Sequence, residues 1–178
     1  MSFETRLKYS LMLVNILQKH INEPFILGQR DCNTISAEVF DAVTKSDVYK
    51  LMYGRYKTFG GAKRHQTKLG LTTREFIQYY ADRIDINLAS SGDIFLHEDV
   101  DLGIFNIYWY LGNKQIVIAN NNTGLIEVDS LDLRDMTDFE CYRLTDLALT
   151  KTMPQHPKLN TSDTPDTTDN TNNETEVN

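Results

Sequence analysis

The feature that most constrains this chain is a change of hydrophobic period near its middle. Before about residue 90, apolar residues recur at steps of three and four, the period of an amphipathic helix. After Ser90-Ser91-Gly92 the period becomes two, which is typical of β-strands. Helices followed by a run of strands predict an α+β fold, with a helical N-terminal half packed on an antiparallel sheet from the C-terminal half.

The first half contains helix signals that can be placed along the sequence. The first helix ends before Pro24. Its predicted buried face consists of Phe3, Leu7, Leu11, Val14, Leu17 and Ile21. A second helix is predicted to begin between Asp31 and Thr34, with Asp31 or Asn33 as its N-cap. Its predicted buried stripe consists of Ile35, Val39, Phe40 and Val43.

Shorter helices and then strands are predicted to follow. Helices between residues 47 and 69 are broken by Gly54 and by Gly60-Gly61, and Thr73 caps a helix that runs to about Arg83. The predicted strands cover residues 92–97, 101–111, 115–119, 125–128 and 140–144. We expect the last of them to lie at an edge of the sheet.

The composition changes near residue 150. From residue 151 to residue 178 the only apolar side chains are Met153, Leu159 and Val177, and Thr, Asn, Asp and Pro dominate. A segment that buries little apolar surface does not offset the entropy cost of ordering its backbone. We therefore expect one domain over residues 1–150 and a disordered acidic tail over residues 151–178.

Charge and cysteine content argue against several classes of function. The net charge is −7 and the basic residues are scattered, with Lys63-Arg64 the only adjacent pair, so we expect no nucleic-acid partner. No stretch reaches the ~20 apolar residues of a membrane span, and the N-terminus does not open a secretory signal, so we expect no membrane insertion. Two distant cysteines and four scattered histidines predict no metal site, and no cofactor is expected.

Cys32 is the first candidate for chemistry. It follows an apolar run and lies where a helix is predicted to begin. The positive end of a helix dipole favours the thiolate, which is the nucleophilic form. The alternative interpretation is a small buried residue, because free cysteines are usually buried.

The residues around Cys32 resemble a known family. The run from Phe25 to Cys32, with its glycine turn and Asp-Cys pair, resembles the entrance to the catalytic helix of NlpC-type cell-wall peptidases, which are papain-like enzymes. Residues 91–95 are similar to the Gly-Asp strand of those enzymes, and residues 101–105 to the start of their next strand. The resemblance implies a papain-like, NlpC-like fold.

A closer resemblance is to a group of phage-encoded proteins related to those peptidases and often found among tail-assembly genes. That group has a Gly-x-x-Asp-Cys turn, a Gly-Arg-Tyr element and a Gly-Ala step, which Gly28–Cys32, Gly54–Tyr56 and Gly61-Ala62 resemble here. The resemblance covers residues 24–144. It implies a role in the phage tail, other tail proteins as partners, and the virion tail or the host cytoplasm during assembly as the location.

The resemblance also implies a degenerate catalytic site. The peptidases have their general base at the start of the second strand, where this chain is expected to have Asp101. A carboxylate with a pKa of about 4 is a poor base for a thiol at neutral pH. If the site is active, the implied residues are Cys32 as nucleophile, His97 as a substitute base and Asn120 as the group that orients the base.

Two further pairs of residues are candidates for contacts. Arg55 and Tyr56 follow a helix-ending glycine, so they either anchor a loop over the cleft or face a protein partner. Tyr108 and Tyr110 share one face of a strand, and this face is either a docking surface or part of an ordinary half-exposed sheet.

Three functions remain open from the sequence. The first is a structural or assembly protein of a phage tail, with a papain-like fold that lacks catalysis. The second is an active cysteine hydrolase that cuts peptidoglycan or a tail protein. The third is a small cytosolic binding module in which Cys32 is a core residue. The missing histidine and the acidic composition favour the first, so enzyme activity is not the leading expectation.

Overall fold

Most of the helices lie in the first half of the chain and most of the strands in the second half. The structure, a computed structural model, describes residues 3–120, 123–130, 136–151 and 153–159. The helices are α1 (Phe3–Gln18), α2 (Cys32–Thr44), α3 (Val48–Met52), α4 (Phe59–Leu69), α5 (Thr73–Tyr80) and α6 (Asp146–Leu149). The strands are β1 (Ala81–Ile84), β2 (Ile94–Asp99), β3 (Ile104–Gly112), β4 (Gln115–Asn120), β5 (Leu125–Ser130) and β6 (Phe139–Leu144).

The strands form one antiparallel sheet in the order β1-β6-β2-β3-β4-β5. This confirms the predicted α+β fold. Strand β6 pairs with β1 through Ala81↔Leu144 and with β2 through Ile94↔Tyr142, so it lies inside the sheet. The prediction of an edge strand was wrong, because residues 81–84, predicted as the end of a helix, form β1 and occupy the edge beyond it.

The main core lies between the helices and one face of the sheet. The Phe40 ring of α2 contacts Phe76 and Tyr80 of α5 and Trp109 of β3, with ring centroids 4.8, 5.9 and 6.0 Å apart. The Trp109 indole N–H donates to Ser36 Oγ at 3.0 Å, so its buried polar group has a partner. This cluster of aromatic rings fixes α2 against β3, and thereby fixes the position at which α2 begins.

A smaller core covers part of the other face of the sheet. Its buried residues are Phe95, Tyr110, Ile116, Met136 and Cys141. The rings of Phe95 and Tyr110 stack with their centroids 5.2 Å apart. Strands β2, β3, β4 and β6 therefore have buried side chains on both faces of the sheet.

Helix α1 buries a different face from the predicted one. Its buried residues are Tyr9, Leu13, Ile16 and Leu17. Three members of the predicted face, Phe3, Leu7 and Leu11, are exposed. The hydroxyl of Tyr9 donates to the carbonyl of Gly92 at 2.6 Å, and a Cβ at Gly92 would lie 2.6 Å from the Tyr9 ring. This contact with the approach to β2 sets the rotation of α1, because apolar residues are present on more than one of its sides.

Two helix boundaries also differ from prediction. The N-cap of α5 is Thr72, whose Oγ1 accepts from the Glu75 N–H while Glu75 accepts from the Thr72 N–H. That helix ends at Tyr80. Helix α4 begins after Thr58, whose Oγ1 accepts from the Gly61 N–H at 3.0 Å, so Gly60-Gly61 forms its first turn and does not break it.

The chain continues to pack against the domain beyond residue 150. Met153 and Leu159 contact the main core. His156 is 8% exposed, and its ring lies 4.7 Å from the Tyr79 ring. Its backbone N–H donates to the Tyr80 hydroxyl at 3.0 Å.

The predicted domain boundary at residue 150 was therefore wrong for residues 153–159. Composition missed these contacts because three well-placed side chains are enough to hold a short segment. The rest of the predicted tail, residues 160–178, lies outside the described residues. Within the described parts of the chain, no helix is both long enough and apolar enough to cross a membrane.

Candidate functional site

Helix α2 begins at Cys32 because Asp31 caps it. Asp31 Oδ1 accepts from the backbone N–H groups of Asn33 at 3.0 Å and Thr34 at 2.9 Å. In return, Thr34 Oγ1 accepts from the Asp31 N–H at 2.9 Å, which completes a capping box. The predicted start of the helix and its predicted cap are confirmed.

The same carboxylate joins the turn before α2 to the segment after α3. Asp31 accepts from the Gly28 N–H at 2.6 Å and from the Tyr56 hydroxyl at 3.1 Å, and the Gly54 N–H donates to the Gly28 carbonyl at 2.6 Å. Gly28 has φ +77°, and a Cβ there would overlap the Tyr56 carbonyl oxygen, so only glycine fits. The Gly-x-x-Asp-Cys and Gly-Arg-Tyr motifs are thus two halves of one hydrogen-bonded unit.

Arg55 and Tyr56 lie in different environments. Tyr56 is 5% exposed and has the contacts of a loop anchor, although its acceptor is a side-chain carboxylate. Burial raises the pKa of Tyr56, so its hydroxyl remains a donor. The side chain of Arg55 is exposed.

The sheet opens next to Cys32. Strands β3 and β4 are paired only from Gly112↔Gln115 to Trp109↔Val117. Both strands continue past this last pair, β3 back to Ile104 and β4 on to Asn120. Strand β3 stays paired with β2, and β4 stays paired with β5, so β3 and β4 separate from each other. A small cavity at this opening is lined in part by Phe25, Leu27, Cys32, Tyr56, Phe59 and Asn106.

The β3 residue that faces the thiol is Asn106. The Cys32 sulfur lies 4.0 Å from Asn106 Oδ1 and 3.8 Å from Asn33 Nδ2. Asp101 lies exposed in the turn before β3. The prediction that Asp101 takes the place of the base was wrong, because β3 begins at Ile104 and the residues facing the cleft are shifted accordingly.

The surroundings of Cys32 keep its thiol protonated. Burial raises the pKa of Cys32 to about 12, and the adjacent Asp31 carboxylate contributes to the rise. Backbone N–H groups near the sulfur, including that of Ile107, act in the opposite direction but are outweighed. The predicted effect of the helix dipole is therefore overcome by desolvation, and the thiolate is scarce at neutral pH.

The two residues proposed to assist an active thiol have partners within the sheet. His97 lies opposite Asn106 in the β2–β3 register, and its ring stacks on Phe139 with the centroids 4.7 Å apart. The Asn120 side-chain amide donates to Glu127 at 2.8 Å. These contacts make His97 part of an aromatic stack and Asn120 a partner of Glu127.

The face that carries Tyr108 and Tyr110 is largely covered. Tyr110 is 7% exposed, and its oxygen accepts from the Lys114 N–H at 3.3 Å. Tyr108 is half-buried beside Phe139, with the ring centroids 5.5 Å apart. The docking-surface interpretation was wrong for Tyr110, because a buried core ring is not available to a partner.

Sequence reasoning missed Asn106 and Asn33. Asn33 Oδ1 accepts from the Thr73 hydroxyl at 3.3 Å, and that hydroxyl accepts from Gln66 at 2.9 Å, so polar contacts extend from α4 to the thiol. Counting back from the hairpin turn after Gly112 would not have located Asn106, because the β3–β4 register shifts between Tyr110 and Gly112 and the pairing ends at Trp109. Among the described residues, no cluster of His, Cys, Asp and Glu is arranged to hold a metal ion.

Comparison with known proteins gives one family and several solved structures. The model of a family described as "Domain of unknown function (DUF6950)" matches residues 5–136. A P60 domain from an M. avium subspecies paratuberculosis antigen is 19% identical, with a TM-score of 0.43, and the match covers 77% of this chain and 95% of that chain. RipD from Mycobacterium tuberculosis is described as a non-catalytic NlpC/p60 domain protein with an adaptation to peptidoglycan-binding function. It is 14% identical, with a TM-score of 0.42, and the match covers 78% of this chain and 98% of that chain. No curated protein matches the chain.

Proposed function

We propose that this chain, which belongs to the family described as "Domain of unknown function (DUF6950)", acts by binding and not by hydrolysis. The observation that carries the proposal is the contact between Cys32 and Asn106 in the cleft. A thiol whose pKa is raised faces the Asn106 amide at 4.0 Å, at the place where a thiol protease needs a base.

Asn106 and Asp31 supply no base for Cys32. The amide oxygen of Asn106 accepts a hydrogen bond but does not take up a proton at neutral pH. The nearby carboxylate of Asp31 already accepts from three backbone N–H groups and from the Tyr56 hydroxyl. A nucleophilic attack by Cys32 would therefore begin from a protonated sulfur, and among the described residues no imidazole or carboxylate hydrogen-bonds to that sulfur.

We infer that the setting of this binding role is a bacteriophage tail or its assembly. The support is the resemblance of three motifs, Gly28–Cys32, Gly54–Tyr56 and Gly61-Ala62, to a group of phage-encoded proteins found among tail-assembly genes. In this proposal the partners are other tail proteins, nucleic acid is not bound, and the chain does not insert into a membrane. The protein is located in the virion tail or in the host cytoplasm during assembly.

Genetic complementation in a phage that encodes this chain tests both parts of the proposal. Removal of the gene is expected to give particles with absent or defective tails, seen by electron microscopy. A copy with Cys32→Ala is expected to restore plaque formation to within a fewfold of the natural chain, because no thiol chemistry is required. A copy with Asp31→Ala, which removes the cap and the anchor, serves as the unfolded control.

Two outcomes would contradict the proposal. Failure of Cys32→Ala to complement, with the variant folded and present at normal levels, would indicate that the thiol is used and would favour the hydrolase. Normal tails after removal of the gene would contradict the tail role while leaving the non-catalytic cleft unaffected.

A further inference from the structure

The surface of α4 and of the loop before it is opposite in charge to the rest of the chain. Between residues 48 and 74 there are seven Lys or Arg residues and no Asp or Glu, in a chain whose net charge is −7. The remaining residues therefore hold 11 Lys or Arg against 25 Asp or Glu. A search for adjacent basic residues does not find this stretch, which is distinguished by its lack of Asp and Glu.

The fold gathers five of these cations into one surface, which we call the cationic face: Arg55, Lys57, Lys63, Arg64 and Lys68. The exposed side of α4 consists of Gly60, Lys63, Arg64, Thr67 and Lys68, while Ala62 is buried. His65 of α4 contacts α3, which precedes the loop, because its ring nitrogen lies 2.8 Å from the Leu51 carbonyl. The charges of Arg55 and Lys68 help to lower the pKa of His65, after the larger effect of its burial, so both lie within electrostatic range of this ring.

The cationic face is not neutralised by the described part of the chain. None of its five side chains forms an ion pair within 4.0 Å with a described carboxylate, whereas Arg74, just outside it, pairs with Glu98 and Glu140. An exposed cluster of like charges in an acidic protein attracts an anionic partner over about a Debye length, roughly 8 Å at physiological salt.

The acidic end of the chain begins beside this surface. Leu159 packs against the main core, and Lys158 Nζ donates to the carbonyl of Gly70, the C-cap of α4. The following residues, 160–178, contain five carboxylates and no Lys or Arg; the carboxylates belong to Asp163, Asp166, Asp169, Glu174 and Glu176. In the sequence, five negative charges thus follow a residue that is fixed at the C-terminal end of α4.

We propose that residues 160–178 dock on the cationic face of the same chain. Helix α4 has 11 residues and is about 16 Å long, while the 14 residues from Asp163 to Glu176 span at most about 46 Å when extended, so the carboxylates reach every cation of the face. Tethering raises the local concentration of the acidic segment to the millimolar range, so weak ion pairs suffice for occupancy.

The docked segment would lie at the rim of the cleft. Phe59 and Ala62 of α4 line the cavity beside Cys32. Lys63 Nζ packs over Gly103, the last residue before β3, where an added Cβ would lie 2.6 Å from it. This inference goes beyond the proposed binding function and does not depend on it.

Zero-length carbodiimide cross-linking of the full chain tests the proposal. An equal mixture of unlabelled and ¹⁵N-labelled protein is treated, and the linked peptides are identified by mass spectrometry. We expect amide links from the carboxylates of residues 163–176 to Lys57, Lys63 or Lys68 of the same copy. Their yield is expected to fall severalfold between 0.05 and 0.5 M NaCl, because salt screens exposed charges.

A pair of arginine variants supplies the matched control. Arg55→Gln with Arg64→Gln removes two cations of the face but leaves its reactive lysines, and it is expected to lower the yield at least threefold. Arg83→Gln on β1 is expected to leave the yield unchanged. Links between differently labelled copies, equal yields to Lys8 and Lys114, an unchanged yield in the double variant, or no links from the segment would each overturn the proposal.

Discussion

Asp31 is a carboxylate that is 2% exposed and has no cation among its described partners. Its charge is stabilised instead by backbone N–H groups at the start of α2 and by the Tyr56 hydroxyl. The same charge raises the pKa of Cys32. A single residue therefore builds the turn, caps the helix and makes the neighbouring thiol less reactive.

Replacement of Asp31 by Asn is expected to destabilise the protein by about 2–3 kcal/mol, because hydrogen bonds to a buried charged group are lost and an amide N–H₂ meets N–H donors. Urea unfolding followed by circular dichroism measures the change. The exposed Asp101→Asn is the control and is expected to shift stability by less than about 0.5 kcal/mol. Equal effects of the two variants would show that Asp31 is not the centre of the turn.

Cys32 is expected to react slowly with iodoacetamide at pH 7, with a rate that keeps rising to pH 10 without a plateau. The rate rises with pH because the pKa of Cys32 is about 12, and the reactive thiolate becomes populated only as the pH approaches that value. Rates are measured separately for the two cysteines by mass spectrometry, since the buried Cys141 also has a pKa raised to about 12. A plateau below pH 8.5 would indicate an activated thiol.

Asn106→His is expected to accelerate the alkylation of Cys32 at pH 7 by tenfold or more. An imidazole at this position can accept the thiol proton and stabilise the thiolate as an ion pair. Asn106→Gln is the matched control, because it changes the side-chain length without adding a base. The same rate in both variants would show that Asn106 does not occupy the place of the base.

At the scale of whole elements, local signals predicted some parts of the fold well and others poorly. Helix α2 was predicted with its cap and buried stripe because Asp31, Thr34 and the periodic apolar residues lie within one stretch. The end of α5 was missed because residues 81–84 become a strand only by pairing with β6, about 60 residues away. The face of α1 was missed because a distant contact with Gly92 selects it. Asn106 was missed for the same kind of reason, since its position beside the thiol depends on the packing of α2 against a strand that lies 74 residues further along the chain.

Strand β6 is expected to show the slow amide exchange of an interior strand. It pairs on both sides, with β1 and β2. Strand β5 pairs with β4, and in the described part of the chain only its first residues bond on its outer side, to residues 22–25. Hydrogen exchange followed by mass spectrometry is expected to give peptides of residues 139–144 at least tenfold slower exchange than peptides of residues 127–130. Equal or faster exchange in β6 would support the edge position that the sequence had suggested.

At the scale of the whole molecule, the last described segment completes the helical layer. Residues 153–159 contribute Met153, His156 and Leu159 to contacts with the helices and the core. The family match ends earlier, at residue 136. The folded domain is therefore longer than either the composition or the extent of that match suggests.

A chain that ends at residue 152 is expected to lose about 3 kcal/mol or more of stability relative to one that ends at residue 159. Met153 and Leu159 are partly buried, so each contributes about half of the roughly 1.5–3 kcal/mol of a fully buried side chain, and the hydrogen bond to Tyr80 is also lost. Differential scanning calorimetry of the two truncated chains is expected to show a Tm difference of about 10 °C. Equal Tm values for the two truncated chains would show that residues 153–159 do not stabilise the domain.

The hydrogen-bonded unit of Gly28, Asp31 and Tyr56 has a consequence for how this sequence diverges. Each of the three residues is required by the other two, since the glycine makes room for the Tyr56 backbone and the carboxylate binds both. Cys32 does not share this constraint, because the contacts of its sulfur with described side chains are long, at 3.8 and 4.0 Å to two amides. We expect relatives that share this turn to keep or to lose the three residues together, while position 32 drifts to serine or alanine. The turn then persists through its role in folding, whichever residue follows it.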